Sequence, residues 1–358
     1  MFTIFQMSAI SHKNVDAGTV WNQYRDNFSR HLLGVARYLQ TSMMKTLQQQ
    51  CGHARLRLGF APYITLIGEG DKRPTELAEI LGISRQACNQ AVKQVEAAGY
   101  IERIADPLDG RARQLALSAR GIKLRRDGVR IVTELDQQFA QIVGAAAIDD
   151  TSRSLGKLYN RLALGLRPQG DRQYMDLVMG GLLPRLADHI LQRLMALTKD
   201  KGHPGLKLSF AQVLTFIGPA GGRIQQIAAS HDVSKQAISV IATELEELGY
   251  LQRVADAADA RQIVLQFTAR GEQLIADSVA SVAELEAEFA AIIGKAAMQR
   301  LGATLRELYQ GLGLEQDIFE NSGTVDIRLL AQQLQQQLGQ QGSQALARLL
   351  MKPPEIKR

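Results

Sequence analysis

Only two cysteines, Cys51 and Cys88, occur in 358 residues. Two thiols cannot build a disulfide framework, so a reducing compartment and a cytoplasmic location are expected. Long apolar runs are missing as well. No window approaches the ~18 uninterrupted apolar residues of a membrane span. Met1 to Ile10 has no basic start and no long apolar stretch, so a signal peptide is not expected. The six histidines and two cysteines show no metal-ligand spacing. There is no phosphate-binding loop, no nucleotide-binding glycine fingerprint, no nucleophile elbow and no zincin motif. The expectation is a chain without cofactor or metal that is not an enzyme. Aromatic residues are scarce, at 5%.

What is present points to helices and to an anionic partner. The hydrophobic fraction of 46% is enough to fill real cores. Leu, Ala, Gln and Arg abound, which favours helix. The isoelectric point near 9.3 and the net charge of +6 lean toward an anion. The charge is unevenly shared. Residues 1–173 hold 24 Lys and Arg against 16 Asp and Glu, whereas residues 174–358 hold 18 against 20.

The strongest pattern is a repeat. Shifted by 150 positions, Leu58 to Gly121 aligns without a gap on Leu208 to Gly271. Gly99-Tyr100 falls on Gly249-Tyr250, Arg103 on Arg253, Asp106 on Asp256, and Ala119-Arg120-Gly121 on Ala269-Arg270-Gly271. Roughly a third of that window is identical, which marks two copies of one folding unit. Such a chain is suited to an internal pseudo-two-fold axis and to a target that is itself nearly two-fold.

Residues 1–27 read as an arm with a helical turn near Val20 to Tyr24. Apolar spacing then predicts a helix over Phe28 to Gln50 and another over Phe60 to Gly68. Pro74 opens a helix that Gly82 ends in a left-handed turn. Ser84 caps the next helix, Arg85 to about Ala98. Two short helices joined by a tight turn form a helix-turn-helix. Strands follow at Tyr100 to Ile104 and Arg113 to Leu117, joined by turn residues Asp106 to Gly110. A hairpin in that place is a wing. A long helix is predicted over Ala119 to Val143, with heptad-like Ile122, Val129, Val132, Leu135, Phe139 and Ile142 inward, and another over about Thr151 to Leu166. Arg167 to Gln173 reads as the linker. The second cycle predicts helices near 174–199, 209–217, 224–230 and 234–248, a wing at 250–268, and helices at 269–293 and 296–313.

On the helix from Ser84, Cys88, Ala91, Val92 and Val95 form a packing stripe, matched by Ile238, Ile241, Ala242 and Leu245. The opposite face presents Arg85, Gln86, Asn89, Gln90 and Lys93. In the second repeat it presents Lys235, Gln236, Ser239, Val240 and Thr243. Arg and Lys pair with guanine, Gln and Asn with adenine, and a Val or Thr methyl meets the thymine methyl, so these faces suit a major groove. The helix N-termini at Ser84 and Ser234 suit a phosphate. Arg111 and Arg261, each two residues after Asp109 or Asp259, suit a narrow minor groove, with the aspartate as brace. Arg103 and Arg253, one strand residue in, and Arg113 on the return strand suit the DNA backbone. Cys88 reads as a small core hydrophobe. Cys51, beside Gly52-His53, is a candidate redox thiol because an imidazolium lowers a thiol pKa.

The run Gly99-Tyr100-Ile101-Glu102-Arg103, then Asp106-Pro107-Leu108-Asp109-Gly110-Arg111, then Leu117-Ser118-Ala119-Arg120-Gly121 resembles the wing signature of MarR-type winged helix-turn-helix regulators. Repeat 2 departs from it, with Ala257, Ala258 and Ala260 in the wing turn and Asp232 in place of Gly82. The resemblance implies a mainly α fold with small β-hairpin wings: two tandem winged helix-turn-helix domains forming an intramolecular pseudo-dimer. The domains would be 28–170 and 174–320, flanked by the arm 1–27 and an extra Leu- and Gln-rich tail, 324–358. It implies a sequence-specific, double-stranded DNA-binding transcriptional regulator on a pseudo-palindromic operator, with recognition helices ~34 Å apart. It also implies a small-molecule effector between the DNA-reading lobe and the dimerising helices.

The long helix of repeat 1 starts with Arg120, Lys123, Arg125, Arg126 and Arg130, whereas its counterpart has Arg270 with Glu272 and Asp277. The second recognition helix carries Glu244, Glu246 and Glu247 against Glu96 alone in the first. Repeat 1 is therefore expected to grip DNA harder. Two readings compete: a protein-interaction module in which repeat 2 has lost DNA reading, and a non-specific architectural DNA binder.

Overall fold

The computed structural model of the chain describes residues 17–106, 113–164, 178–219, 221–231, 234–256 and 262–314. Repeat 1 runs α1 (Ala17–Arg25), α2 (Phe28–Gln49), a single 3-10 turn (Leu58–Phe60), α3 (Ala61–Gly68), α4 (Pro74–Leu81), α5 (Arg85–Ala97), β1 (Ile101–Ala105), β2 (Arg113–Leu117), α6 (Ala119–Val143) and α7 (Ala145–Arg161). Repeat 2 runs α8 (Met179–Asp200), a 3-10 turn (Leu208–Phe210), α9 (Ala211–Leu214), β3 (Gly222–Arg223), α10 (Ile224–His231), α11 (Lys235–Glu247), β4 (Leu251–Ala255), β5 (Ile263–Phe267), α12 (Ala269–Ile293) and α13 (Lys295–Gly311).

Helices α2, α6, α7, α8, α12 and α13 form the layer that joins the repeats. In α2, Phe28, Leu32, Val35, Ala36 and Leu39 fall three or four apart and are buried. Leu182, Leu183, Leu186, Ala187 and Ile190 do the same in α8. The pairing is crossed. α2 packs on α13, and α8 packs on α7, so one contact is made twice with the repeats exchanged. α2 also touches α8, and α7 touches α13. That is the isologous pattern of a two-fold interface, here within one chain. Gly34 leaves room for the Tyr309 ring, and Gly180 lies where a Cβ would come within 2.6 Å of Leu39 and 2.9 Å of Val132.

Each long helix also caps the first helix of the other repeat. Asp136 of α6 accepts the Gly180 N–H at the start of α8, at 3.0 and 3.3 Å to its two oxygens. Glu286 of α12, 150 positions on, accepts the Phe28 N–H at the start of α2. Both carboxylates meet orphan donors at a helix N-terminus.

The apolar core of lobe 1 (α3 to β2) is continuous with the helical layer, while lobe 2 (α9 to β5) has a core of its own. The N-terminal helix α1 fastens lobe 2 to that layer. It packs on α12, its Trp21 ring meets Phe267 of β5 at 5.6 Å between centroids, and the Tyr24 hydroxyl donates to the Leu214 carbonyl at 3.3 Å. Trp21 is the only tryptophan of the chain.

Several boundaries differ from expectation. The helix expected from Thr151 starts at Ala145, because Gly144 at φ 88 turns the chain in one residue and α7 restarts at once. It ends at Arg161, where Ala163 adopts φ 52, the place of Gly313 in repeat 2. The expected helix 209–217 is shortened to Ala211–Leu214, since Phe216 and Ile217 bond back three residues, to Val213 and Leu214, in place of four. Along α6, Ile122 and Val129 are exposed, at 51% and 63%, and the buried stripe is Leu124, Ile131, Leu135 and Phe139. Within the expected arm, Ala17–Arg25 is a docked helix. Residues 1–16 of the arm, the linker 167–173 and the tail 324–358 lie outside the described residues.

Burial raises the Asp136 carboxyl to about 6, against the opposing pull of the Gly180 and Met179 N–H groups. A carboxyl raised in the folded state favours folding while protonated. That contribution is lost as pH rises from about 4 through about 6. Asp136→Asn keeps an oxygen acceptor and removes the charge. It is expected to stabilise the protein by about 1–3 kcal/mol at pH 7.5 and to have little effect at pH 4. Thermal melts at the two pH values check this.

Candidate DNA interface

In lobe 1, Pro74 occupies the first turn of α4, and Gly82 at φ 64 ends it in the left-handed turn. The Ser84 hydroxyl accepts the Ala87 N–H at 3.2 Å and starts α5. In lobe 2, Ser234 does the same for Ala237 at 3.1 Å. The α5 stripe Cys88, Val92 and Val95 is fully buried, and so are Ile238, Ala242 and Leu245 of α11. Cys88 faces the Pro74 carbonyl at 3.4 Å, and burial pushes its thiol up. It is a core residue.

This packing turns the opposite face outward. Arg85, Gln86, Asn89, Gln90 and Lys93 are all exposed, as are Lys235, Gln236, Val240 and Thr243, with Ser239 half-buried. The capping serines Ser84 and Ser234 are exposed too. Behind α5 and α11, β1 pairs antiparallel with β2 and β4 with β5 in matching register. A third segment joins each hairpin: Lys72 exchanges backbone hydrogen bonds with Leu115 at 3.2 and 2.8 Å, and β3 pairs with β5. Arg113, at the start of β2, is exposed. The wing-tip candidates Asp109, Arg111, Asp259 and Arg261 lie outside the described residues.

One link was not foreseen. Arg73, just before α4, donates to the buried Asp106 at the end of β1, with Nε and Nη2 each at 2.6 Å. Arg223 holds Asp256 in the same way, at 2.6 and 2.5 Å. These pairs tie the helix-turn-helix to the base of the wing. Their signal was in the sequence: both residues of each pair are kept at the 150-residue shift. A second link explains the Ala-Arg-Gly repeat. A Cβ at Gly121 or Gly271 would strike the carbonyl oxygen of Tyr100 or Tyr250. Arg120 and Arg270 lie over the same tyrosine rings at 4.9 Å.

The charged candidates are less free than the sequence suggests. Arg103 is paired with Glu96 at 3.2 Å, and Arg253 with Glu246 at 2.7 Å. On α6, Lys123 is held by Asp127 and Arg130 by Glu134, both at 2.8 Å. Arg120 recurs as Arg270 on the matching ring, and of the four cations particular to repeat 1 two, Lys123 and Arg130, are held by these carboxylates. His53 and His203 occupy matching places and play a shared structural role, each bonded through Nε2 at 3.0 Å, to Asp127 and Asp277. Cys51 has a cation in contact with it. It is Arg130, with Nη2 at 3.4 Å from the half-buried sulfur.

The MarR family model matches this chain twice, over residues 63–112 and 205–262, each match spanning a helix-turn-helix and the first strand of the hairpin that follows it. The chain carries two MarR-type domains in tandem. No curated protein matches it. Among solved structures it is similar to the transcriptional regulator Tm0710 of Thermotoga maritima, at 24% identity over 39% of this chain and 98% of that one, with a TM-score of 0.32. It is also similar to YusO of Bacillus subtilis, at 20% identity over 36% and 89%, TM-score 0.30. CouR of Rhodococcus jostii RHA1, solved with p-coumaroyl-CoA bound, shares 24% identity over 36% and 90%, TM-score 0.29.

In the MarR-type lobes the buried aspartates hold the wing to the recognition unit. Asp106→Ala is expected to destabilise lobe 1 by about 2–3 kcal/mol, less than for a fully buried pair because Arg73 is half-exposed. Asp256→Ala is expected to act on lobe 2 in the same way. Amide hydrogen exchange over β1 and β2, or over β4 and β5, reports which lobe loosens.

Proposed function

We propose that the chain regulates transcription by holding a pseudo-palindromic DNA operator, each MarR-type lobe laying its recognition helix in a major groove. The observation that carries this reading is the pair of serine-capped helices with outward polar faces, mounted on one crossed helical layer. Arg85, Gln86, Asn89, Gln90 and Lys93 serve one half-site, with Lys235, Gln236, Ser239, Val240 and Thr243 on the other. Arg113 and the wing arginines Arg111 and Arg261, braced by Asp109 and Asp259, reach backbone and minor groove. Because the layer is a single packed unit, the spacing of the two readers is set by the protein.

A small-molecule effector belongs to the same reading, and it acts at lobe 1. Beside lobe 2, α1 fills the boundary with Trp21 and Tyr24. Beside lobe 1, α8 brings Arg185 near Glu69 and Asp188, with Arg125 close to Glu69 as well. Burial raises the Glu69 carboxyl. An effector there would be polar or charged.

The test is selection of bound sites from random duplex DNA, followed by anisotropy titrations. Two half-sites about one helical turn apart are expected. Inserting about half a turn between them, roughly 5 base pairs, should reduce affinity at least tenfold by moving one half-site to the opposite face. Arg85→Ala and Lys93→Ala should each lose about 1–3 kcal/mol if they pair with bases. Failure to retain any duplex at low ionic strength would end the proposal.

A further inference from the structure

The two reading faces differ in chemistry as well as in charge, and one arginine accounts for much of the difference. Arg253, the third residue of β4, lies along α11. Its Nη2 donates to the Ser239 carbonyl at 3.1 Å, the Ser239 hydroxyl at 3.4 Å and the Thr243 hydroxyl at 3.2 Å. Its backbone N–H reaches Glu246 at 3.1 Å, and its Nη1 pairs with the same carboxylate at 2.7 Å. Ser239, Thr243 and Glu246 are four and three residues apart, so they stack on one face of the helix.

The Thr243 hydroxyl is engaged in both senses. It accepts from Arg253 and donates its own proton to the Ser239 carbonyl at 3.0 Å. What lobe 2 leaves open at the centre of its reading face is apolar. Val240 is 60% exposed.

Lobe 1 has the same arginine in the same strand position, yet among the described residues Arg103 makes only the Glu96 contact with α5. The places of Ser239, Val240 and Thr243 are taken by Asn89, Gln90 and Lys93. A lysine at the third of these places repels a guanidinium, so Arg103 has no reason to lie along the helix. Asn89, Gln90 and Lys93 keep their hydrogen-bonding groups directed to solvent.

We infer that the lobes read chemically different half-sites: lobe 2 one that presents thymine methyl groups, lobe 1 one that presents purine hydrogen-bonding edges, with Arg253 positioning the lobe 2 hydroxyls away from the groove. A valine whose neighbours Ser239 and Thr243 are engaged by Arg253 matches a C5-methyl, and Asn, Gln and Lys match purine N7, O6 and N6. This inference rests on the DNA-binding reading above.

The experiment uses the full chain and the duplex it selects. Thymine is replaced by uracil, which removes the 5-methyl alone, in one half-site at a time. Affinity is expected to fall about fourfold per contacted methyl in one half-site, the equivalent of one buried methyl-sized group, and to hold in the other. Val240→Ala should abolish that sensitivity. Thr243→Lys, which copies lobe 1 and displaces Arg253, should weaken it. Arg103→Ala should flatten the salt dependence by about one phosphate contact, whereas Arg253→Ala should lower the thymine preference with the salt slope retained. Equal uracil effects in both half-sites, no effect in either, or a single half-site overturns the inference while duplex binding stands. No duplex retained at low ionic strength overturns the DNA-binding reading and this inference together.

Discussion

The crossed packing of terminal helices is the constraint on which the rest depends. Neither repeat can bury its own first and last helices. The apolar stripe of α2 is covered by α13, and that of α8 by α7. Half of each interface therefore comes from the other repeat, and one buried cluster runs through both. The hydrophobic effect here does more than stabilise: it fixes the relation between the lobes, because one repeat cannot move without exposing the other's core. Asp136 and Glu286 add direction to that apolar contact. Each meets unpaired donors at a helix start in the opposite repeat, which sets the axial position of α8 and α2.

Attached to this layer, each lobe is a unit held by a few repeated devices. The Arg73–Asp106 and Arg223–Asp256 pairs bind wing to helix-turn-helix. Gly121 and Gly271 let the long helix start against a tyrosine carbonyl. The serine caps begin the recognition helices. None of these groups lies on the outward face of α5 or α11. The scaffold and the reading surface are chemically separate, so the second can diverge while the first is kept. The sequence has this pattern. Arg73, Asp106, Ser84 and Gly121 recur in repeat 2, whereas Asn89, Gln90 and Lys93 become Ser239, Val240 and Thr243.

The repeat, the helix-turn-helix, the wing and the outward face of each recognition helix were legible because local chemistry dictates them: a serine cap, a left-handed glycine, a period-3.6 stripe. Departures occur where tertiary context decides. No polar residue marks the start of α7, so Thr151 read as its beginning, yet Gly144 turns the chain and α7 begins on Ala145. Ile122 and Val129 fit a heptad, but the face of α6 that meets α2, α7 and α8 is the one carrying Leu124, Ile131 and Leu135. Charge is the least legible property of all. Five cations at the start of α6 look like a phosphate grip in one dimension. In three, Lys123 and Arg130 have carboxylate partners on the next turn and Arg120 lies on a ring.

That result shifts the weight of the asymmetry between the repeats from net charge to the recognition helices. Internally paired charges project little field beyond a Debye length, so a difference in formal charge of the halves is a poor measure of grip. What remains different between the repeats lies on the outward faces of α5 and α11. A homodimer must present the same side chains to both halves of its target, and any change appears twice. Joining the copies in one chain removes that identity requirement while the crossed core preserves the geometry. Arg253 is where this freedom has a visible structural consequence. The same arginine, in the same strand position, makes one contact with α5 and lies along α11, because a lysine on one helix is a threonine on the other.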